Sequence, residues 1–236
     1  MMPAFTGFSL GGPKVFVRYP KTYHIFPVTS KYNLDNATIG RLLAGEVIVE
    51  EKMDGSNTGI IRHRQGFHLQ KRNSLVGPSV HEQFDFFYNW ANTQNYEKIM
   101  AVPEGTLIYG ELLYAVHTIY YDKLPDYFLV FDVRQNGRWL NYPERVSFCA
   151  VYGFQMVPFI ASGSFSLDEL RSMVPTKSAY GEAAEGIVVK RYAKNGYFKG
   201  KIVNSSFIKT LEESDHWTAY ECRRNKMQTA SVRQTL

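Results

Sequence analysis

Hydrophobic residues in this chain occur mainly in short runs, either continuous or alternating with polar residues, a pattern typical of β-strands. Two such runs flank Asp54-Gly55 in the segment 47–64. Asp-Gly between hydrophobic runs is a strong turn signal, so we predict a β-hairpin there. The other predicted strands are 66–72, 106–114, 127–133 and 186–191, with an Asn-Gly turn at 136–137 that leads into residues 138–140.

Helices are predicted where hydrophobic residues recur at helical spacing after a capping residue. The first begins at Ser79, the start of a Ser-x-x-Glu capping box, and ends before Pro103. The second begins at Asn141 and the third at Ser166, which opens another capping box. The last covers about 212–224.

The order of these elements indicates the fold class. Strands outnumber helices, and no regular βαβ alternation is present. We therefore expect an α+β fold of antiparallel sheets flanked by helices. No linker divides the chain, so we predict one domain over residues 1–225 followed by a polar tail over 226–236.

Composition and charge narrow the function classes. The net charge of +5 and pI near 9.0 favour a polyanionic partner such as a nucleic acid or a nucleotide. Cys149 and Cys222 lie far apart, without neighbouring zinc-ligand spacing, which indicates a cytoplasmic or other reducing intracellular compartment. No run approaches the roughly 18 consecutive apolar residues of a membrane helix, and the N-terminus lacks the pattern of a secretory signal, so no membrane partner is expected.

Lys52, in the segment Lys52-Met53-Asp54-Gly55-Ser56-Asn57, is the candidate nucleophile. A lysine amine attacks only when deprotonated, and free lysine has a pKa of about 10.4, so its pKa must be lowered. Neighbouring cations would lower it, and Lys199 and Lys201 share one face of an extended run. The alternative interpretation is a solvated hairpin lysine together with a solvated strand edge.

Two glutamates and a phenylalanine complete the candidate chemistry. Glu185 precedes a β-branched strand, where it is suited to hold a divalent cation, although a surface salt bridge is the alternative. Glu111 lies in a Tyr-Gly-Glu sequence, and Phe131 or Phe128 is placed to cover an adenine, with core packing as the alternative for either ring.

Taken in order, K-x-D-G, Y-G-E, F-x-V-F-D-V, E-G-I-V-V-K and K-x-K resemble the signatures of the covalent nucleotidyltransferase superfamily. This superfamily comprises ATP- and NAD-dependent polynucleotide ligases and mRNA capping enzymes. The chain is most similar to the RNA ligase 2 group, on the strength of the segment around Lys52, of Lys71-Arg72-Asn73 and of Asn204-Ser205-Ser206-Phe207.

The resemblance implies an ATP-dependent RNA ligase that uses Mg²⁺. The enzyme would form lysyl-AMP, transfer AMP to an RNA 5′-phosphate, and seal that end to a 3′-hydroxyl. The roles it implies are: Lys52 as nucleophile; Lys199 and Lys201 on the α-phosphate; Glu111 on the ribose; Phe131 on the adenine; Arg72 on the nucleotide and 5′-phosphate; Glu185 on magnesium; Asn57 and Lys190 along the phosphate path; and Glu51 within the nucleotide site.

Some alternatives remain open at the level of the sequence. Asp54 stands where RNA ligase 2 types often carry histidine, so a DNA ligase or a guanylyltransferase remains an alternative, as does a catalytically silent nucleic-acid-binding relative. Alignment on Asn204 would make Lys201 and Val203 the final pair instead of Lys199 and Lys201. Only 29 residues follow Phe207, so we expect no C-terminal OB-fold, and a protein partner is one way to replace it.

Overall fold

A computed structural model describes residues 16–28, 32–78, 81–194, 196–205, 207 and 222–228. This part of the chain forms two β-sheets with helices packed against them, which confirms the predicted α+β class. The strands, in chain order, are β1 (Tyr23–His24), β2 (Val47–Lys52), β3 (Ser56–His63), β4 (Gly66–Lys71), β5 (Ser74–Val76), β6 (Leu107–Leu112), β7 (Phe128–Gln135), β8 (Arg138–Trp139), β9 (Gln155–Met156), β10 (Phe159–Gly163), β11 (Gly186–Ala193) and β12 (Gly196–Val203).

The helices are short and lie between the strands. In chain order they are α1 (Asn36–Leu43), α2 (Glu82–Asn92), α3 (Tyr96–Ala101), α4 (Tyr142–Tyr152) and α5 (Leu167–Ser172). Within the described ranges, no helix has the length and apolar character needed to cross a membrane.

The two sheets differ in size and connection. The first has the spatial order β1-β12-β11-β2-β10, and the second has the order β5-β4-β3-β6-β7-β8 with β9 beside β7. Pairing is antiparallel except for β1 with β12 and β7 with β9, which are parallel. Helices α2 and α4 pack on the second sheet around Phe87 and Phe148, whereas Leu42 of α1 and Leu170 of α5 lie in the core of the first.

The predicted hairpin around Asp54-Gly55 is wrong. Strand β2 pairs with β10 and β11 in the first sheet, while β3 pairs with β4 and β6 in the second, so the chain crosses between sheets here. Asp54 fixes this crossing, because its carboxylate accepts hydrogen bonds from the backbone N–H groups of Thr118 (2.8 Å) and Ile119 (2.9 Å). These bonds hold the chain to a loop of another segment, so no tight local turn forms.

Local capping signals had mixed outcomes. Helices α4 and α5 begin after Asn141 and Ser166, as predicted, and the capping box predicted at Ser166 is present. Asn141 also forms a capping box, with Glu144, which was not predicted. Helix α2 begins at Glu82 with His81 as its N-cap, and Ser79 lies outside the described residues. A break after Asn92 separates α2 from α3, which ends before Pro103 as expected.

The C-terminal residues that are described return to the domain. Residues 212–221 of the predicted last helix lie outside the described residues, and 222–224 are not helical. Asn225 is buried and donates its side-chain amide to the carbonyl of Leu113 at 2.8 Å. Gln228 donates its backbone N–H to Leu124, so the predicted tail begins with residues bonded to the domain. Residues 229–236 lie outside the described residues. The same holds for most of the residues after Phe207, where we predicted that no OB-fold follows.

Candidate active site

A cavity of about 490 Å³ opens between the two sheets, where β2, β11 and β12 face β3, β6 and β7. Most of the residues selected from the sequence line it. They are Glu51, Lys52, Asn57, Arg72, Glu111, Phe131, Lys190 and Lys201. Two others, Glu185 and Lys199, do not line the cavity. The side chain of Glu185 contacts Lys52, and that of Lys199 contacts the carbonyl of Pro20.

The position of Lys52 follows from the crossing between sheets. Lys52 is the last residue of β2, and Met53 and Asp54 after it are buried. Gly55 then passes so close to β6 that a Cβ there would lie 2.5 Å from the carbonyl oxygen of Leu112. The chain therefore has room for glycine only, and this close passage holds Lys52 at the floor of the cavity.

Lys52 is paired with an acid in the free protein. Its Nζ donates to Glu185 Oε2 at 2.6 Å, which places Glu185 directly behind the nucleophile candidate. Burial alone would lower the pKa of Lys52, but the charges of Glu185, Glu111 and Asp54 outweigh burial, and the net pKa is raised. The expectation that neighbouring cations lower it is therefore wrong for the free site, in which Lys52 is held as the ammonium.

The pKa values of the two glutamates near Lys52 are raised. Burial raises the pKa of Glu185 to about 7, although the nearby ammonium of Lys52 opposes the shift. Burial likewise raises the pKa of Glu111 to about 8. An added cation would relieve the cost of charging these carboxylates.

The acids near Lys52 are suited to hold a divalent metal ion together with oxygens of a ligand. No group of three or more His, Cys, Asp or Glu side chains is placed to hold a metal within the described ranges. Mg²⁺ needs no such cage, because it commonly takes one or two carboxylates together with phosphate oxygens and waters. Glu185, with Glu111 and Asp54 near the same lysine, supplies that kind of donor set.

The two lysines of the K-x-K segment are separated by the structure. Lys201 lines the cavity, and burial together with the charge of Lys52 lowers its pKa to about 8. Lys199 instead donates to the carbonyl of Pro20 at 2.7 Å, and its Nζ lies 3.2 Å from the centre of the Tyr19 ring. Of the pair, Lys201 alone is placed to reach a ligand in the cavity of the free protein.

Lys190 belongs to a buried ionic cluster that sequence reasoning did not find. Its Nζ lies 2.8 Å from Glu50 Oε2 and 3.3 Å from Asp132 Oδ2, and its side chain is 2% exposed. The fully buried Arg145 contacts the same two acids from α4. We call Glu50, Asp132, Arg145 and Lys190 the ionic clamp, because they join β2 and β11 of the first sheet to β7 of the second.

The ionic clamp lies directly behind the ring proposed to cover adenine. Lys190 also donates to the carbonyl of Phe131 at 2.5 Å, and the Phe131 ring packs against Tyr19 with centroids 4.9 Å apart. With its ammonium bonded to these partners, Lys190 holds Phe131 in place and also forms part of the cavity wall, so its predicted position on the phosphate path stays a prediction.

The remaining predicted residues lie on the second sheet, in the turn between β4 and β5, and on β2 of the first sheet. Asn57 and Glu111 are register partners across β3 and β6, so their side chains enter the cavity side by side. Arg72 is exposed in the turn between β4 and β5. Glu51 is buried, and its carboxylate accepts from the backbone N–H of Ala179 at 3.0 Å.

One wall of the cavity is not predicted from the sequence. Residues Arg18 to Tyr23 line it, although no motif marks them. Their contribution depends on a path between the two sheets, which a pattern of hydrophobic positions does not reveal.

The comparisons with known proteins agree with this geometry. Residues 45–205 match the RNA ligase family. The chain belongs to this family. The match starts just before β2 and ends just after β12, so it spans nearly all the strands that form the cavity.

Solved structures share the fold at low sequence identity. A mutant RNA ligase of Naegleria gruberi without ligand superposes with a TM-score of 0.65 and 15% identity, covering 86% of this chain and 60% of that one. A mutant of the same enzyme with ATP and manganese gives a TM-score of 0.63 and 15% identity, covering 84% and 59%. A further mutant, with AMP and manganese, gives 0.60 and 16%, covering 82% and 62%.

One curated relative is an uncharacterized protein of Methanocaldococcus jannaschii. It is 24% identical over 183 residues, which cover 73% of this chain and 42% of the relative. This chain thus spans less than half the length of that relative and about three fifths of the solved RNA ligase chains.

Proposed function

We propose that this chain is the adenylation module of an ATP-dependent RNA ligase, with Lys52 as the residue that becomes bonded to AMP. One observation carries the proposal: Lys52 Nζ lies in a cavity between the sheets, bonded to Glu185, with Lys201, Glu111 and Phe131 on the surrounding walls. Family membership and the ATP and AMP complexes of the Naegleria enzyme support the choice of nucleotide.

In the proposed first step the lone pair of Lys52 Nζ attacks the α-phosphorus of ATP. A nitrogen–phosphorus bond forms as the bond from that phosphorus to the bridging oxygen breaks, and pyrophosphate leaves with the electron pair. Lys52 must first lose a proton, and Glu185 Oε2, 2.6 Å away with a pKa of about 7, is placed to accept it.

The other walls position the nucleotide. Phe131 would stack on the adenine, while Glu111 and Asn57 would meet the ribose from neighbouring strands. Lys201 would neutralise the α-phosphate. Once Glu185 has passed the proton of Lys52 on to water, a divalent metal at Glu185 would neutralise phosphate charge and draw the carboxylate's charge away from Lys52, which keeps the amine neutral.

The later steps are proposed on family grounds. AMP would pass from Lys52 to an RNA 5′-phosphate, with Arg72 at the exposed rim as a contact for that end, and a 3′-hydroxyl would then displace AMP. A partner protein or another domain would supply further contacts to the RNA. The two unpaired cysteines, Cys149 and Cys222, fit a reducing intracellular compartment.

Mass spectrometry of the intact protein tests the first step. Incubation with ATP and Mg²⁺ should add about 329 Da, the mass of one AMP bonded to lysine. Lys52→Ala should gain nothing, whereas Lys177→Ala should react as the wild type does, because Lys177 is exposed in a surface pair with Glu182. An adduct that persists in Lys52→Ala, or none in the wild type, would reject the assignment.

The same preparation distinguishes the related enzyme classes. GTP in place of ATP tests for a guanylyltransferase, and nicked RNA beside nicked DNA tests for a DNA ligase. We expect reaction with ATP and sealing of RNA. An adduct with ATP that is followed by sealing of DNA alone would keep Lys52 and overturn the RNA assignment.

A further inference from the structure

The segment from Val17 to Ile25 forms a strap that is bonded to both sheets. Gln70 of β4 holds one end, donating to the carbonyl of Val17 at 2.8 Å and accepting from its N–H at 3.2 Å. The backbone N–H of Ile25 holds the other, donating to Lys201 in β12 at 2.9 Å. The strap therefore crosses the cavity as a fixed wall.

Tyr19 anchors the middle of the strap between the sheets. Its hydroxyl donates to Asp132 of the ionic clamp and lies 3.3 Å from the hydroxyl of Tyr197. Its ring packs against Phe131 and Tyr109, at 4.9 and 5.0 Å between centroids. Tyr19 thus anchors the strap, and the residues on either side of it line the cavity with it.

Lys21, two residues after this anchor, is an exposed cation on the cavity wall. Its Nζ lies 2.9 Å from the centre of the Tyr32 ring and 6.0 Å from that of Tyr23. Contact with aromatic faces holds an ammonium without using its hydrogen-bond donors on an acid. Among the described residues, Lys21 has no carboxylate partner within salt-bridge distance, so its charge remains available to a ligand.

The strand order puts this cation beyond Lys201 as seen from Lys52. From β2 to the edge of the first sheet the strand order is β2, β11, β12 and β1, so Lys52 lies on β2, Lys201 two strands away on β12, and Lys21 in the strap that leads into β1. Lys52 pairs with Gly186 and Lys201 with Val188, so the two lysines are offset by two residues along the strands. Lys21 is close enough to Lys201 for its charge to act on that lysine. Three cations therefore form a row that extends from the nucleophile to the rim.

We infer that Lys21 binds the β- and γ-phosphates of ATP and holds the pyrophosphate that leaves. The inference rests on the proposed adenylation by Lys52 and deepens it by giving the leaving group its own subsite. A triphosphate is a row of negative charges, so a row of cations across the sheet matches it when the α-phosphate lies between Lys52 and Lys201. Lys21 would then meet the charge that develops as the phosphorus–oxygen bond breaks.

The test separates the phosphates of ATP from those of RNA. Lys21→Ala, Lys21→Arg and the exposed control Lys194→Ala are compared with the wild type in three assays. These assays are binding of inorganic pyrophosphate alone by calorimetry, formation of lysyl-AMP from ATP, and sealing of RNA that already carries AMP on its 5′-phosphate. The third assay involves no pyrophosphate, so it reports RNA contacts and folding only.

For Lys21→Ala we expect pyrophosphate binding to weaken, and the KM for ATP to rise, each by roughly tenfold or more, the usual effect of losing a contact between charged groups. Sealing of the pre-adenylylated RNA should be unchanged, Lys21→Arg should recover most of the loss, and Lys194→Ala should match the wild type.

Three results would overturn the inference. Unchanged pyrophosphate binding and KM in Lys21→Ala would remove the subsite. Loss confined to the sealing assay would assign Lys21 to RNA, and equal loss in all three with a lower melting temperature would make it structural. A wild type that forms no lysyl-AMP would instead reject the proposed function itself, which is a different and separately visible failure.

Discussion

Lys52 Nζ and Glu185 Oε2 lie 2.6 Å apart, so the proposed nucleophile is stored as an ion pair with its own proton acceptor. The pair comes from two strands 133 residues apart, since Gly186 of β11 is the register partner of Lys52 on β2. The proposed nucleophile and its proton acceptor are thus both held by the first sheet, and neither belongs to the second.

Removing the acceptor should abolish adenylylation while leaving the fold intact. In Glu185→Gln the amide cannot take the proton of Lys52, so we expect the rate of lysyl-AMP formation to fall by about 100-fold or more. The melting temperature should change little, because a site residue is being altered and the core is not. Stopped reactions with labelled ATP give the rate, and Glu182→Gln, on the exposed loop nearby, is the matched control. A melting temperature that collapses in Glu185→Gln would favour a structural role.

The pH dependence of adenylylation should be bell-shaped. Because kcat/KM reports the free enzyme, its acid limb should lie near pH 7, where Glu185 must ionise to accept a proton. Its alkaline limb should lie near pH 8, where Lys201 loses the charge that binds phosphate. In Lys201→Arg the guanidinium stays charged, so the alkaline limb should disappear. If that limb persists in Lys201→Arg, the group responsible is another one, such as Glu111.

Glu111 should cost the protein stability at alkaline pH. Its pKa in the folded protein is raised to about 8, mainly by burial. A raised pKa means that the folded state holds the proton more tightly than the unfolded state does, so stability is lost as the pH rises from about 4.5 to about 8. Glu111→Gln should therefore melt at a higher temperature than the wild type at pH 8.5, and this difference should shrink at pH 4.5. Calorimetry at both values checks it, with exposed Glu104→Gln as the control.

Lys190 should behave as a structural cation. Lys190→Met leaves Glu50 and Asp132 with Arg145 alone, and breaking a buried ion pair costs about 3–5 kcal/mol. Lys201→Met, at the cavity wall, should cost much less stability but should weaken ATP binding. Urea unfolding followed by circular dichroism compares the two. Equal stabilities with weaker ATP binding in both variants would return Lys190 to the phosphate path.

Phe131 should contribute to nucleotide binding through its ring. Phe131→Ala removes a stacking surface worth about 1–3 kcal/mol for one base, so the KM for ATP should rise about tenfold or more. Phe159→Ala, on an exposed phenylalanine of β10, should leave the KM unchanged. Phe131→Trp keeps a flat ring and should retain most of the affinity. An unchanged KM in Phe131→Ala would return Phe131 to the core.

Much of the fold follows from signals within a few residues. The start signal at Asn141 placed α4, the capping box at Ser166 placed α5, and a β-branched run placed β11. The motif order also selected Lys52, Glu111 and Phe131, which the structure brings to one cavity. These residues sit on strands whose ends converge, so a linear pattern was enough to nominate them.

What the sequence does not predict depends on distant segments. Asp54-Gly55 has the chemistry of a hairpin turn, but β11, more than 130 residues later, takes the edge of β2 that a hairpin partner would need. Arg145 extends from α4, which packs on the second sheet, to Glu50 of the first sheet and Asp132 of the second, and no spacing in the sequence predicts these contacts. The sequence pattern does not distinguish Lys199 from Lys201. In the structure Lys199 donates to the carbonyl of Pro20, whereas Lys201 lines the cavity.

The crossing at Met53 to Gly55 divides the groups of the proposed reaction between the two sheets, since Lys52 belongs to the first sheet and the residues proposed for the sugar and base, Glu111 and Phe131, belong to the second. In the proposed reaction, the alignment of the amine with the phosphorus would therefore depend on the distance between the two sheets. The ionic clamp joins the sheets and so fixes that distance. If the proposed reaction holds, substitution of Glu50 or Arg145 should change its rate without altering any residue that is proposed to touch the nucleotide. Variants with altered turnover should therefore be sought among the buried residues of the ionic clamp as well as around Lys52.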